Sequence, residues 1–190
     1  MIRTPAVPVL VDPKLIDVAL SEIQTILTTE LSWLDHAFGK AQRLKRDDGA
    51  KTVTYPAVYI GVKDYLPAFP DSHIGNFAFF DIQDGEEITN GRQTVDFEAN
   101  FGLIVWFDYR SVYSADWQER SIDNVKAEVI EVLKNAVLSQ SSISLVRSWE
   151  RSESIYKGYT DNEVDRQFLM RPYGGFKIEG IIKYHDQTRC

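Results

Sequence analysis

Read by twos, residues 95–108 sort cleanly into two faces. Val95, Phe97, Ala99, Phe101, Leu103, Val105 and Phe107 fall on one. Asp96, Glu98 and Asn100 fall on the other, followed by Gly102, Ile104 and Trp106. Period-two alternation marks a half-buried strand. The second half is apolar on both faces and calls for cover on both, so this stretch reads as a long central strand.

A second pattern precedes it. Ile16, Leu20, Ile23, Leu27, Leu31, Leu34 and Phe38 recur three and four apart. That spacing predicts one face of a helix over 13–38, with Asp12 as its cap and Pro13 at its first position. Ile122, Val125, Val129, Val132 and Ala136 repeat the pattern and predict a helix over 117–138, opened by Asp116 and Glu119. Lys40 to Lys51 reads as the solvated basic end of the first helix followed by an Asp47-Asp48-Gly49 turn, with a phosphate-contacting patch as the alternative. Strands are predicted over 55–62, 76–82, 143–149 and 176–184, and a short helix over 161–170. A proline-bearing loop spans 64–75, Asp84-Gly85 and Asn90-Gly91 read as turns, and Gly174-Gly175 as another. Residues 1–11 hold Pro5 and Pro8 and read as an extended arm, packed on its own domain or crossing to a neighbour. Together these elements predict an α+β fold: a mainly antiparallel sheet of four to five strands with two long helices packed on one face. One domain over 1–190 is expected, with the arm at 1–11, a core over 12–184 and a tail over 185–190.

Composition narrows the function classes. A formal charge of −7 argues against an electrostatic grip on nucleic acid, which needs a basic face. One cysteine, Cys190, leaves no internal disulfide to form. No apolar run approaches the roughly 20 residues of a membrane helix, and the N-terminus makes a poor signal peptide. The chain reads as cytoplasmic, with no membrane partner and no sequence-specific nucleic-acid partner.

Candidate chemistry is sparse. His36, His73 and His185 lack metal-ligand spacing. Asp81, Asp84, Glu86 and Glu87 offer oxygen ligands but not the spacing of an EF-hand loop. Asp96 and Glu98 share a strand face as an acid/base pair would, with nothing nearby to separate their pKa values. No phosphate-binding loop, dinucleotide fingerprint or nucleophile elbow is present. The expectation is therefore no enzyme, no catalytic residue, no cofactor and no metal.

The helix at 13–38, Y-P-A-V-Y-I-G at 55–61, the strand at 93–109, the helix at 117–138 and F-L-M-R-P-Y-G-G-F-K-I-E-G-I-I-K-Y at the C-terminal end occur in a telling order. That order resembles the tail-terminator and tail-completion proteins of long-tailed bacteriophages, and the related head–tail joining proteins. The resemblance covers about three quarters of the chain by order of elements and carries no functional residue across. It implies a structural, ring-forming homo-oligomer, usually hexameric, that caps the tail tube or joins it to the head. Its partners would be other phage tail or neck proteins, and it would be virion-associated after assembly in the cytoplasm. The candidate subunit interface is Val7, Val9, Tyr65, Phe69, Glu86 and Glu87. The competing reading is a monomeric or dimeric α+β binding module for a small ligand or a host protein.

Overall fold

The structure, a computed structural model, describes residues 6–47, 49, 51–61, 63–71, 73–91, 94–160, 164 and 166–187. Its centre is the strand β6 (Thr94–Asp108), which is paired along both edges. The other strands are β1 (His36–Lys40), β2 (Gln42–Asp47), β3 (Thr52–Tyr59), β4 (Tyr65–Pro67), β5 (Phe77–Asn90), β7 (Ser141–Trp149) and β8 (Tyr173–Gln187). Five of them form the main sheet, in the order β1-β5-β6-β8-β7. A second sheet of three strands has the order β2-β3-β4. The helices are α1 (Ile16–Glu30), α2 (Tyr109–Tyr113), α3 (Ile122–Asn135) and α4 (Ser152–Ile155).

The alternation in β6 has direct consequences for packing. Phe101, Leu103 and Val105 are buried in one cluster with Ile23 and Leu27 of α1 and Val125 and Val129 of α3. Ile104 and Trp106 point the other way, into a second cluster with Phe77 and Phe79 of β5. Val58 and Ile60 from the small sheet and its flank, and Ile155 and Phe168 from the 150–169 segment, close that side. The main sheet is therefore a middle layer between helices and a second small sheet.

This corrects the expected fold. Strand dominates over helix, the main sheet is mixed because β1 runs parallel to β5, and a second sheet exists. Neither helix is long: α1 has 15 residues and α3 has 14. Helix α1 stops at Glu30 because its last turns are threonine-rich. The Thr25, Thr28 and Thr29 hydroxyls donate back to the carbonyls of Ser21, Gln24 and Thr25, at 2.9, 3.0 and 2.8 Å. Such β-branched, back-bonding residues are weak helix formers. Leu31, Leu34 and Phe38 keep the helical spacing and are buried, yet Phe38 lies in β1. There Ala37 and Phe38 enter opposite clusters, and a strand buried on both faces mimics one side of a helix.

Other boundaries move for local reasons. Asp12 does not cap α1; it pairs with Lys14 at 2.9 Å, and the helix opens three residues after Pro13. The basic stretch after Lys40 is strand β2, paired antiparallel with β3, not a helix end. Asp84-Gly85 is no chain reversal but an irregularity inside β5, with Gly85 at φ +94°. The 116–119 segment is a 3-10 turn, and α3 starts later, where the Asn124 side chain accepts from the Ser121 N–H at 2.9 Å. Of the helix expected at 161–170 only a 3-10 turn, Arg166–Leu169, is seen; 161–163 and 165 lie outside the described residues. Gly174 and Gly175 lie within β8, where a Cβ on Gly174 would meet the Phe107 ring at 2.9 Å. Residues 6–8 of the arm rest on their own domain: the Ala37 N–H donates to the Ala6 carbonyl at 2.9 Å, and Gln24 reaches Pro8. Residues 1–5 and 188–190, with Cys190, lie outside the described residues. Among the described residues no helix is long and apolar enough to cross a membrane.

Buried tyrosines give the fold a pH dependence. Burial pushes the hydroxyls of Tyr156 and Tyr159 well above the ordinary tyrosine value, and the Asp81 carboxylate adds to the rise at Tyr159. Folding then favours the neutral phenol. The stability is complete below about pH 10 and is lost as the pH rises, because the unfolded chain ionises first. Each group should cost about 1.4 kcal/mol per pH unit above 10. Alkaline denaturation followed by tyrosinate absorbance should be cooperative. Tyr156→Phe should move its midpoint upward; an unchanged midpoint with early, non-cooperative ionisation would contradict this.

Candidate functional site

The sequence places a lone acid in an apolar run, F-A-F-F-D-I, on β5, and a lone base in another, G-G-F-K-I, on β8. The fold brings them together. Asp81 and Lys177 are both almost completely buried, and the Lys177 ammonium donates to Asp81 Oδ2 at 3.1 Å. The strands that carry them are not neighbours, since β6 runs between. Lys177 spans it by crossing Gly102, which sits directly opposite Asp81. A Cβ on Gly102 would lie 2.1 Å from Lys177 Cε. The glycine in the middle of this strand is the groove in which the lysine lies.

The second oxygen of Asp81 faces the small sheet. Oδ1 accepts from Arg43 Nη2 of β2 at 3.2 Å and from the Tyr159 hydroxyl at 2.9 Å. Arg43 also lies over the Tyr159 ring, 5.5 Å from its centroid. Partial burial alone would lower the Arg43 pKa, but Asp81 and Tyr159 raise it on balance. Lys177 also approaches Glu179 at 3.6 Å, and Glu179 accepts from Arg147 Nε at 2.6 Å. Burial would raise the Glu179 pKa; hydrogen bonds from Trp149 and Arg147, with the nearby cations, bring it below the ordinary glutamate range. One carboxylate thus takes three donors from three separate pieces of chain: β8, β2 and the 150–160 segment. Buried charge is retained only when paired and hydrogen-bonded in this way. With its donors converging and its acid inside the core, the arrangement fastens layers together. Tyr159→Phe removes one of the three donors and should cost about 1.5–3 kcal/mol in urea denaturation, as a hydrogen bond to a charged group. A loss below about 0.5 kcal/mol would show that this hydroxyl is not held by Asp81.

The calcium arrangement is not assembled, because Asp81 is engaged with Lys177 and Arg43, while Glu86 and Glu87 are consecutive in β5 and face opposite sides. Among the described residues no group of three or more His, Cys, Asp or Glu side chains is placed to hold a metal ion. His36 stacks on Phe38 at 5.6 Å, and His185 pairs in register with Asp96. Asp96 and Glu98 share the polar face of β6, and Glu98 is paired with Lys183 at 2.8 Å on the surface. These two line an open cleft of about 580 Å³ with Glu87, Ser142, Lys183 and His185.

The six candidate interface residues are spread over several surfaces. Val7 is half-buried and Val9 is exposed on the arm. Tyr65 is exposed on β4, edge-on to Tyr59 at 5.6 Å, and accepts from Gln42 at 3.1 Å. Phe69 is half-buried against Tyr156, with ring centroids 5.7 Å apart. Glu86 turns toward Tyr184, whose hydroxyl is pushed up first by burial and then by this carboxylate, and Glu87 is exposed. Glu86 and Glu87 thus lie together at the projecting end of β5, while the arm residues Pro8 and Leu10 line one cleft with Tyr65. No protein-family profile matches the chain, and no curated protein matches it.

Proposed function

We propose that this protein is a structural subunit of a phage or prophage neck or tail, a tail-terminator-like component of a homo-oligomeric ring. It caps the tail tube or joins it to the head, forms in the cytoplasm and ends in the virion. The observation that carries this reading is the distribution of exposed apolar side chains. Val11 is 92% exposed on the arm, Ile88 60% at the far end of β5, Val137 90% beyond α3, Val146 61% on β7 and Met170 66% in the outer segment. Lone exposed apolar residues are ordinary, but large ones on several separate surfaces suit a subunit with several neighbours. A cyclic ring needs two different patches per subunit for its lateral contacts, and axial partners need more. The acidic balance, −7, supports the same reading, since a lumen lined by such subunits does not hold passing DNA.

The test is hydrodynamic mass, followed to high protein concentration and again with purified phage tail tubes. A defined multimer, or capture on tube ends, is the expected result. A chain that stays monomeric at every concentration and ignores the tubes overturns it. The binding-module reading, which rests on the 580 Å³ cleft, would then take its place.

A further inference from the structure

The main sheet has two unpaired edges among the described residues, and they are unlike each other. Strand β1 covers the outer edge of β5 only from Phe77 to Phe80, and a last bond runs from the Ala41 N–H to the Phe80 carbonyl. Beyond the irregularity at 82–86, β5 continues as Glu86, Glu87, Ile88, Thr89 and Asn90 with only β6 as a partner. The opposite edge is β7, which pairs with β8 alone. In this part of the molecule the sheet is four strands wide: β5, β6, β8 and β7.

The two edges complement each other. The β5 edge carries two acids, with Ile88 standing 60% exposed on the helix-facing side. Beside β7 runs a groove of about 570 Å³ between that strand and α3, lined by Ile130, Leu133, Ile143 and Leu145. Its charge comes from Lys134; Arg147, also at its border, turns its guanidinium to Glu179 at 2.6 Å on the other face of the sheet. The usable lengths match as well. Residues 86–90 of β5 follow its irregularity, and residues 141–145 of β7 precede a bulge between Leu145 and Arg147. Direction also fits. All three contacts within the four-strand section are antiparallel, so β5 and β7 run opposite ways. A copy placed alongside, in the same orientation, brings its β5 antiparallel to β7.

Resting on the ring reading above, we propose that copies of this chain join head to tail by continuing the main sheet. The outer edge of β5 at 86–90 pairs antiparallel with the outer edge of β7 at 141–145 in the next copy. Main-chain hydrogen bonds satisfy both open edges, the β-augmentation mode of recognition. Ile88 enters the apolar groove under α3. Glu86, on the same face, comes beside Lys134. The contact is heterologous, so it repeats until the ring closes.

Cysteine cross-linking in the full chain, with Cys190→Ser as background, tests this. An Ile88→Cys protein is mixed at high concentration with Ser141→Cys, Ile143→Cys or Leu145→Cys protein and oxidised. These three positions are two residues apart on the helix-facing side of β7, so one of them meets Ile88 whichever even register holds. One mixture should give a heterodimer, and the double variant in one chain should give a ladder that stops at the ring size. Thr89→Cys, on the opposite face, should not cross-link to the same three. Lys134→Glu should weaken association about tenfold, and Glu86→Lys in that background should restore it. If wild type forms a multimer but no mixture yields heterodimer, this interface is wrong and the ring reading survives. If single Ile143→Cys protein cross-links to itself, β7 pairs with its own copy and the head-to-tail arrangement is wrong. If wild type is monomeric under the same conditions and nothing cross-links, this interface is wrong, and the ring reading falls with it when the chain also ignores tail tubes.

Discussion

Asp81→Ala should cost about 3–5 kcal/mol of unfolding free energy, because it leaves the buried Lys177 ammonium without its counter-charge. Lys177 has nowhere to go: it is 3% exposed and lies in the groove over Gly102. Its remaining acidic neighbour, Glu179 at 3.6 Å, is already engaged by Arg147. Arg43 is in a different position. Its side chain is 37% exposed and can turn to water, so its share of the loss is small. The cost should therefore fall mostly on Lys177. Lys177→Met alone should be milder, since Asp81 keeps Arg43 and Tyr159 as donors. Asp81→Leu combined with Lys177→Met should recover most of the Asp81→Ala loss, as apolar replacements of a buried pair often do. The measurement is a double-mutant cycle of Asp81→Leu, Lys177→Met and the two combined, by urea denaturation with a constant slope. Additive losses in the two single variants would mean that the pair is not coupled, and the packing of the layers would need another account.

How much of this was readable in the chain follows from which signals are local. The central strand and its facing were legible because period-two alternation over 95–108 admits one strand register. Its helix-facing side carries Phe101, Leu103 and Val105, all buried. The first helix was over-read because apolar spacing says which residues are buried, not in what element. Leu34 and Phe38 are buried for reasons of the loop and of a strand covered on both faces. The small sheet was missed because β2, Q-R-L-K-R-D, is exposed along its whole length and has no apolar face to announce it. The Asp81–Lys177 pair was invisible in another way. The two residues are 96 positions apart, and only the order β5-β6-β8 brings them within reach. One signal was present all the same: opposite charges, each alone in an apolar strand, with a glycine in the strand between. The candidate interface shows the converse limit. Phe69, on a proline-rich loop, is open from sequence to either reading, a contact surface or a tucked-in ring, and only the fold shows it half-covered by Tyr156 from a segment distant in sequence. The unpaired edges of β5 and β7 could not be seen at all without strand order.

Gly102→Ala separates that glycine signal from ordinary strand propensity. In a strand interior, Gly to Ala on its own should stabilise by roughly 0.5–1 kcal/mol through the unfolded chain. Here the new Cβ would sit 2.1 Å from Lys177 Cε and 3.0 Å from its Nζ, so the lysine must leave its groove. The flexible stem can move, but the ammonium then loses Asp81 in a buried setting. The expected result is a net loss of about 2–4 kcal/mol, close to that of breaking the pair itself. The same substitution in the Asp81→Leu, Lys177→Met background meets a shorter, uncharged side chain with room to shift. There it should cost less than about 1 kcal/mol. The difference between the two backgrounds measures the coupling between a residue with no side chain and a charge pair it does not touch with any polar atom. Equal costs in both backgrounds would place the clash with the backbone of β8 instead, and Gly102 would be needed for strand packing alone.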